Sequence, residues 1–270
     1  MWCGSHAVAP VIAVRETATG PANRLRFDLS MRQQKIEAAL ADAGHVLELE
    51  PNDLEMRKLL TNLLLLDCRY AQAEREALRC LRAEPNNVRL WYFLGKSYRG
   101  LGQTARAVQW ANRIVATGLD FPPGLQLRAD LHLDAGEVEP AIRLLRKASA
   151  SPGPEGVAMF YPLGLALERA GRHEEGRQAL AEMQWRQALA LWSEDEHRDE
   201  NVGLQERVVE ALLAAGKTDE AVRFLQDVLR RGRNPAGTHQ LLALCYDKLG
   251  QPQRAAEHRR QAGGRDKVTR

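Results

Sequence analysis

Trp91-Tyr92-Phe93-Leu94-Gly95-Lys96-Ser97-Tyr98-Arg99-Gly100-Leu101-Gly102-Gln103-Thr104-Ala105-Arg106-Ala107 is the stretch on which the reading of this chain turns. Trp91, Leu94, Gly95 and Tyr98 fall at helical spacing, so the segment opens as one short helix. Gly102 can adopt the left-handed backbone that ends such a helix. Ala107 then sits five residues on, at the opening of a second helix. Small residues at Gly95 and Ala107 let two helix backbones approach closely and interdigitate their larger neighbours.

The same punctuation recurs along the chain. Gly102, Gly136, Gly171, Gly216 and Gly250 are each followed five residues later by Ala107, Ala141, Gly176, Ala221 and Ala255. Cys68 with Ala73 is the same pair one period earlier. From Cys68 onward the spacings are 34, 34, 35, 45 and 34 residues, the length of two short helices with two turns. The small position on the first helix is filled by Gly95, Ala129, Gly164 and Ala243, with Thr61 and Val209 as departures. Pro85 closes the first unit, and Pro51 lies 34 residues before it.

The pattern W-x2-L-G-x2-Y at Trp91–Tyr98, followed by Gly102 and Ala107, resembles the tetratricopeptide repeat family. Leu163-Gly164 with Leu167 and Leu242-Ala243 with Tyr246 keep the same skeleton. The resemblance extends from Leu54 to about Thr269. It implies an all-α fold, a right-handed α-solenoid of about six helix-turn-helix hairpins. One hairpin cannot bury its apolar face alone, so neighbours must stack.

This organisation predicts a flexible tail over 1–28 and a degenerate half-repeat or capping helix over 29–53, where Ile36, Ala39, Ala43 and Leu47 share a helical face. Hairpins one to four follow over 54–190 and hairpins five and six over 202–263, with a basic tail over 264–270. Between the fourth and fifth units the spacing of 45 is 11 residues more than 34. The flank Glu174 to Leu191 is helical in pattern, which predicts a long second helix in the fourth hairpin. The acidic run over 191–201 then reads as a connector, a hinge or a partner-facing loop.

Composition narrows the function classes. The chain has 270 residues, 44% hydrophobic and 27% charged, with a formal net charge of +3. That charge is too small to argue for nucleic acid, and the basic tail from Arg254 is interspersed with Glu257 and Asp266. No apolar run reaches the roughly 20 residues of a spanning helix. The four cysteines, Cys3, Cys68, Cys80 and Cys245, form no CxxC pair or Cys/His cluster, and the seven histidines share no ligand spacing. Neither metal nor cofactor is expected. As written, the chain reads as cytoplasmic. Cys3-Gly4-Ser5 looks like the mature start of a bacterial lipoprotein, so a start upstream of Met1 would place it in the cell envelope.

Catalytic motifs are imitated and then fail. Gly216-Lys217-Thr218 resembles the end of a P-loop, but Ala211 stands where that loop needs glycine. Arg99 stands where a nucleophile elbow after Ser97 needs glycine. His173-Glu174-Glu175 lacks a second histidine, and His132 reads as a packing residue in place of an aromatic. The expectation is a non-enzymatic module that binds protein or peptide.

The resemblance also implies where a partner would lie, because the concave surface of this family is lined by the first helix of each hairpin. Carried over residue by residue, this gives Lys58 and Asn62, then Arg89, Tyr92, Lys96 and Arg99. Gln126 and Asp130 follow, then Tyr161, Leu165 and Glu168, and finally Glu206 and Glu210. Such a groove would be basic at its N-terminal end and acidic towards its C-terminal end, with Tyr92 and Tyr161 as aromatic anchors. Lys58 and Asn62 also match two residues of the family's carboxylate clamp. Phe93, Pro123 and Leu127 do not match the rest.

Overall fold

The computed structural model of the chain describes residues 20–195, 201–231 and 235–263. Among these, every regular element is an α-helix. The chain divides into two compact units between Ala107 and Val108, and each is a stack of helical hairpins.

The first unit contains α1 (Gly20–Arg32), α2 (Ile36–Leu49), α3 (Leu54–Leu66), α4 (Tyr70–Ala83) and α5 (Val88–Gly100). The division falls within α6 (Thr104–Ala116). Proline and a capping side chain start two of these helices where the sequence supplies them. After Pro51, the Asp53 carboxylate accepts from the Met56 amide at 3.0 Å. After Pro85, the Asn87 side chain accepts from the Arg89 amide at 2.9 Å, and the Trp91 indole donates to the Pro85 carbonyl at 3.0 Å. Such caps satisfy helix-end amides that have no intrahelical partner. The core joins Phe27, Ala39, Ala43, Val46, Met56, Leu63, Leu64 and Ala73.

Here the structure departs from the expected tail over 1–28 and half-repeat over 29–53. Residues 20–28 are helical, and α1 pairs with α2 as a complete hairpin. Its turn is in register: Gln34 lies 34 residues before Cys68 and five before the buried Ala39. The pattern hid this hairpin for a physical reason. Phe27 occupies the small-residue position, glutamine replaces the turn glycine, and Leu25 and Leu29 of α1 face solvent.

All seven turns share one geometry. Gln34 (φ 56), Cys68 (φ 57) and the five glycines from Gly102 to Gly250 are left-handed. At each, the following amide donates to the carbonyl five residues back, as from Gln103 to Tyr98 at 2.8 Å and from Lys217 to Leu212 at 2.9 Å. This is the Schellman closure, which needs a left-handed residue at its corner. Gly216-Lys217-Thr218 is one of these corners.

The second unit contains α7 (Pro122–Asp134), α8 (Val138–Ser149), α9 (Gly153–Ala158), α10 (Phe160–Arg169) and α11 (His173–Glu194). It continues with α12 (Val202–Ala214), α13 (Thr218–Arg231), α14 (Pro235–Lys248) and α15 (Pro252–Gly263). The helix before Gly171 is broken into α9 and α10. At the α10–α11 crossing, Gly164 and Gly176 face each other. A Cβ on Gly164 would stand 3.0 Å from Leu180 Cγ and 3.3 Å from the Gly176 carbonyl oxygen. Small residues are therefore required there.

As the spacing predicts, α11 runs long, at 22 residues. It continues through Leu191–Glu194, so the expected connector over 191–201 does not begin at 191. The cause is Trp192, which is buried and meets Phe224 edge-on at 4.9 Å. Of the rest of that acidic run, 196–200 lie outside the described residues. So do Cys3 and the basic tail over 264–270. A buried cluster of Trp192, Val208, Val209, Leu212, Leu225, Val228 and Leu242 forms the core of this part.

Candidate functional site

Counting back from each left-handed turn residue places the functional candidates in a fixed register. Two positions, ten and six residues before the turn, lie on the first helix of every hairpin and stay out of the core. In the first unit they are Arg24 and Asp28, Lys58 and Asn62, and Tyr92 and Lys96. In the second they are Gln126 and Asp130, Tyr161 and Leu165, Glu206 and Glu210, and Gln240 and Leu244. None of these side chains is buried. By contrast, the position seven before the turn is buried at Thr61, Gly95, Ala129, Gly164, Val209 and Ala243. Alternation between these positions follows from the 3.6-residue helical repeat.

Sequence reasoning omitted Arg24, Asp28, Gln240 and Leu244. The first pair was missed with its hairpin. The second was recoverable by counting back from Gly250.

In the first unit α3 and α5 are in contact, so Lys58 and Asn62 share a neighbourhood with Arg89, Tyr92, Lys96 and Arg99. The charges there are partly engaged by the protein itself. Lys58 Nζ donates to Glu55 at 2.6 Å and to Glu84 at 3.0 Å. Its hydrogen bond to Glu55 chiefly raises its pKa, against the opposing effect of burial. Glu84 is lowered in turn, first by the Asn87 amide and then by Lys58. In this unit the carboxylate-clamp positions offer no open site: Lys58 is engaged and Phe93 is buried. Arg89 and Asn62 are exposed, while Tyr92, Lys96 and Arg99 are half-buried.

In the second unit the candidates divide by helix. Tyr161 and Leu165, one turn apart on α10, are 54% and 46% exposed, an apolar pair with nothing over it among the described residues. Glu168, on the next turn, is held by His173 at 2.5 Å. Glu206 and Glu210 on α12 are exposed, and among the described residues neither has an ionic partner. The contact between α12 and α14 places these carboxylates on helices adjoining Gln240 and Leu244. Gln126 and Asp130 lie half-buried on α7. At the two register positions the charged residues of the first unit are the cations Arg24, Lys58 and Lys96 with one anion, Asp28, and those of the second are all anions, Asp130, Glu206 and Glu210.

The rest of the unit's polar chemistry is structural. Glu182 accepts from the Trp185 indole at 2.8 Å, from Arg186 at 2.9 Å and from Lys217 at 3.2 Å. Burial pushes its pKa up, but these three donors outweigh burial and leave it lowered. Lys217, the P-loop lookalike, also sits 4.8 Å from the Trp185 ring centre. Burial pushes the thiols of Cys80 and Cys245 up to about 11, so both are protonated at neutral pH and poor nucleophiles. Among the described residues, no three His, Cys, Asp or Glu side chains are placed to hold a metal.

A family model for the tetratricopeptide repeat matches residues 68–120 and 127–195. Those two stretches, a little under half of the chain, carry tetratricopeptide repeats. Among curated proteins, Protein FlbA of Caulobacter vibrioides is 30% identical over 166 residues, covering 59% of this chain and 26% of that protein. The chain thus spans about a quarter of the length of the curated relative it matches. Among solved structures, MamA from Desulfovibrio magneticus has a TM-score of 0.46 at 20% identity, covering 61% of this chain and 92% of that one. A tetratricopeptide repeat protein from Parabacteroides merdae has a TM-score of 0.42 at 14% identity, covering 93% of this chain and 94% of that one. The tetratricopeptide fold generally serves protein–protein interaction, and no helix among the described residues is long and apolar enough to cross a membrane.

Proposed function

We propose that this tetratricopeptide repeat protein is a non-catalytic scaffold that binds protein or peptide on the exposed face of the first helix of each hairpin. One observation carries the reading: Tyr161 and Leu165 stand one turn apart, each about half exposed, at the two positions that every hairpin keeps out of its core. Half-exposed aromatic and aliphatic side chains on a rigid helix are what a partner's apolar residues would cover. Lys96, Arg99, Glu206 and Glu210 would orient the partner more than tighten it. Arg89 and Asn62 extend the face in the first unit, and Gln126, Asp130 and Glu168 extend it in the second.

Co-purification from the native cell with wild-type protein and two double variants tests this. Tyr161→Ala with Leu165→Ala reads the second unit, and Tyr92→Ala with Lys96→Glu reads the first. Loss of the same partner from at least one folded variant supports the reading. Full recovery from both refutes it.

A further inference from the structure

The register break does more than lengthen a helix. The second helices of the other hairpins have 12 to 14 residues, from α8 and α15 to α4 and α13, whereas α11 has 22. Its added turns stand beside α12, and the two helices flank an open slot of about 410 Å³. On α11 the lining residues are Gln184, Gln187, Ala188 and Leu191. On α12 they are Arg207, Glu210, Ala211 and Ala214. Each set falls at i, i+3, i+4 and i+7, one face of its helix. Each has alanine at its fifth place, and those two small side chains leave the space open.

We propose that this slot takes a short partner segment carrying an aliphatic side chain and net positive charge. Seven residues of helix at 1.5 Å each make the slot about 10 Å long, enough for about three residues of extended chain. Leu191 is 47% exposed and forms an uncovered apolar wall opposite Ala211 and Ala214. The Gln184 and Gln187 amides are exposed and can bond the main chain of such a segment. Charge decides its sign. Glu210 on the rim and Glu206 one turn before it oppose a single cation, Arg207, and among the described residues none of the three has an ionic partner. A comparable hollow of about 380 Å³ in the first unit differs on this point. There Arg69 is bound to Glu37 at 2.5 Å, and Glu76 to Arg57 at 2.5 Å, so both of its carboxylates are already engaged, and the further charge on its lining, Arg75, is a cation. This proposal goes beyond the exposed-face reading and shares only Glu206 and Glu210 with it.

Fluorescence anisotropy of the labelled hexapeptide Arg-Leu-Arg-Leu-Arg-Leu against the full chain tests the assignment, with Glu-Leu-Glu-Leu-Glu-Leu as the comparison probe. The basic probe should bind, and Ala211→Trp, which fills the slot, should weaken it by about tenfold or more. Gln187→Trp closes the slot from an exposed position and should do the same if Ala211→Trp does not fold. Glu210→Lys should weaken it as well, whereas Tyr161→Ala should leave it unchanged, which separates this site from the exposed face. Equal binding of the basic probe to wild type and to both tryptophan variants would overturn the proposal. So would tighter binding of the acidic probe. A dimer in ultracentrifugation that Ala211→Trp dissolves would assign the slot to a second copy of the chain and overturn it too.

Discussion

The two units are made from one hairpin and differ where that hairpin places no demand. Both close their turns through a left-handed residue, and both bury the side chain seven residues before it, small or compact everywhere but at Phe27. The first unit carries Arg24, Lys58 and Lys96, with one anion, Asp28, at the positions outside its core. The second carries Asp130, Glu206 and Glu210, together with the apolar Tyr161, Leu165 and Leu244. Packing constrains the buried register and leaves the exposed register open, so binding character can diverge while the backbone stays the same. The second difference is length. The break between the fourth and fifth repeats is absorbed by α11, held by Trp192 in the core and by Glu182 against Lys217.

The largest effects should come from the shared core. Leu63→Ala in the first unit and Leu225→Ala in the second remove nearly or fully buried side chains, and each should cost about 2–5 kcal/mol in urea unfolding. Hydrogen exchange should locate each loss in its own unit. Equal deprotection of both units by either substitution would break the comparison.

Next in size is the anchor peculiar to the second unit. Glu182→Ala should cost about 1–3 kcal/mol, because it leaves the half-buried Trp185 donor without its acceptor. The folded pKa of Glu182 is lowered, so its contribution is complete above the ordinary glutamate value of about 4.3 and is lost as pH falls through the folded value. In Glu182→Gln that segment of the acid titration should flatten. An unchanged acid limb would show that the carboxylate does not hold α11.

At the turns the effect is smaller and opposite in sign for two residue types. Cys68 and Gln34 hold left-handed backbone without being glycine. Cys68→Gly and Gln34→Gly should therefore each stabilise by about 1 kcal/mol, and Gly102→Ala should destabilise by a similar amount. Thermal melts give the sign directly.

The smallest effect belongs to the last hairpin. His239 lies with Nδ1 2.9 Å from that of His258. Burial first, and His258 second, lower its pKa. The neutral form is thus favoured in the fold, and this hairpin should lose stability as pH falls below about 6.5. In His239→Phe the melting temperature should depend less on pH between 7 and about 5.

The sequence was most legible where geometry admits few residues. Gly102, Gly136, Gly171, Gly216 and Gly250 announce their turns because left-handed backbone favours glycine. Cys68 could be placed only by counting from its neighbours, and Gln34 passed unnoticed. With Phe27 at the small position and Leu25 and Leu29 exposed, α1 shows no amphipathic stripe to read. The split into α9 and α10 went unread as well, although Gly153 at φ 81 stands at its start. The exposed register was countable from the turns, but the partners of its side chains were not. Nothing in the spacing tells that Glu55 and Glu84 take up Lys58, or that His173 holds Glu168, because those pairings join different helices or depend on rotamer.

Site-specific photocrosslinking tests the central claim most directly. p-Benzoylphenylalanine is placed at Leu165, on the exposed first-helix face, or at Arg143, exposed on the second helix α8. Adducts with a co-purifying partner at position 165 and none at 143 are the expected result. Adducts at 143 with none at 165 would contradict it.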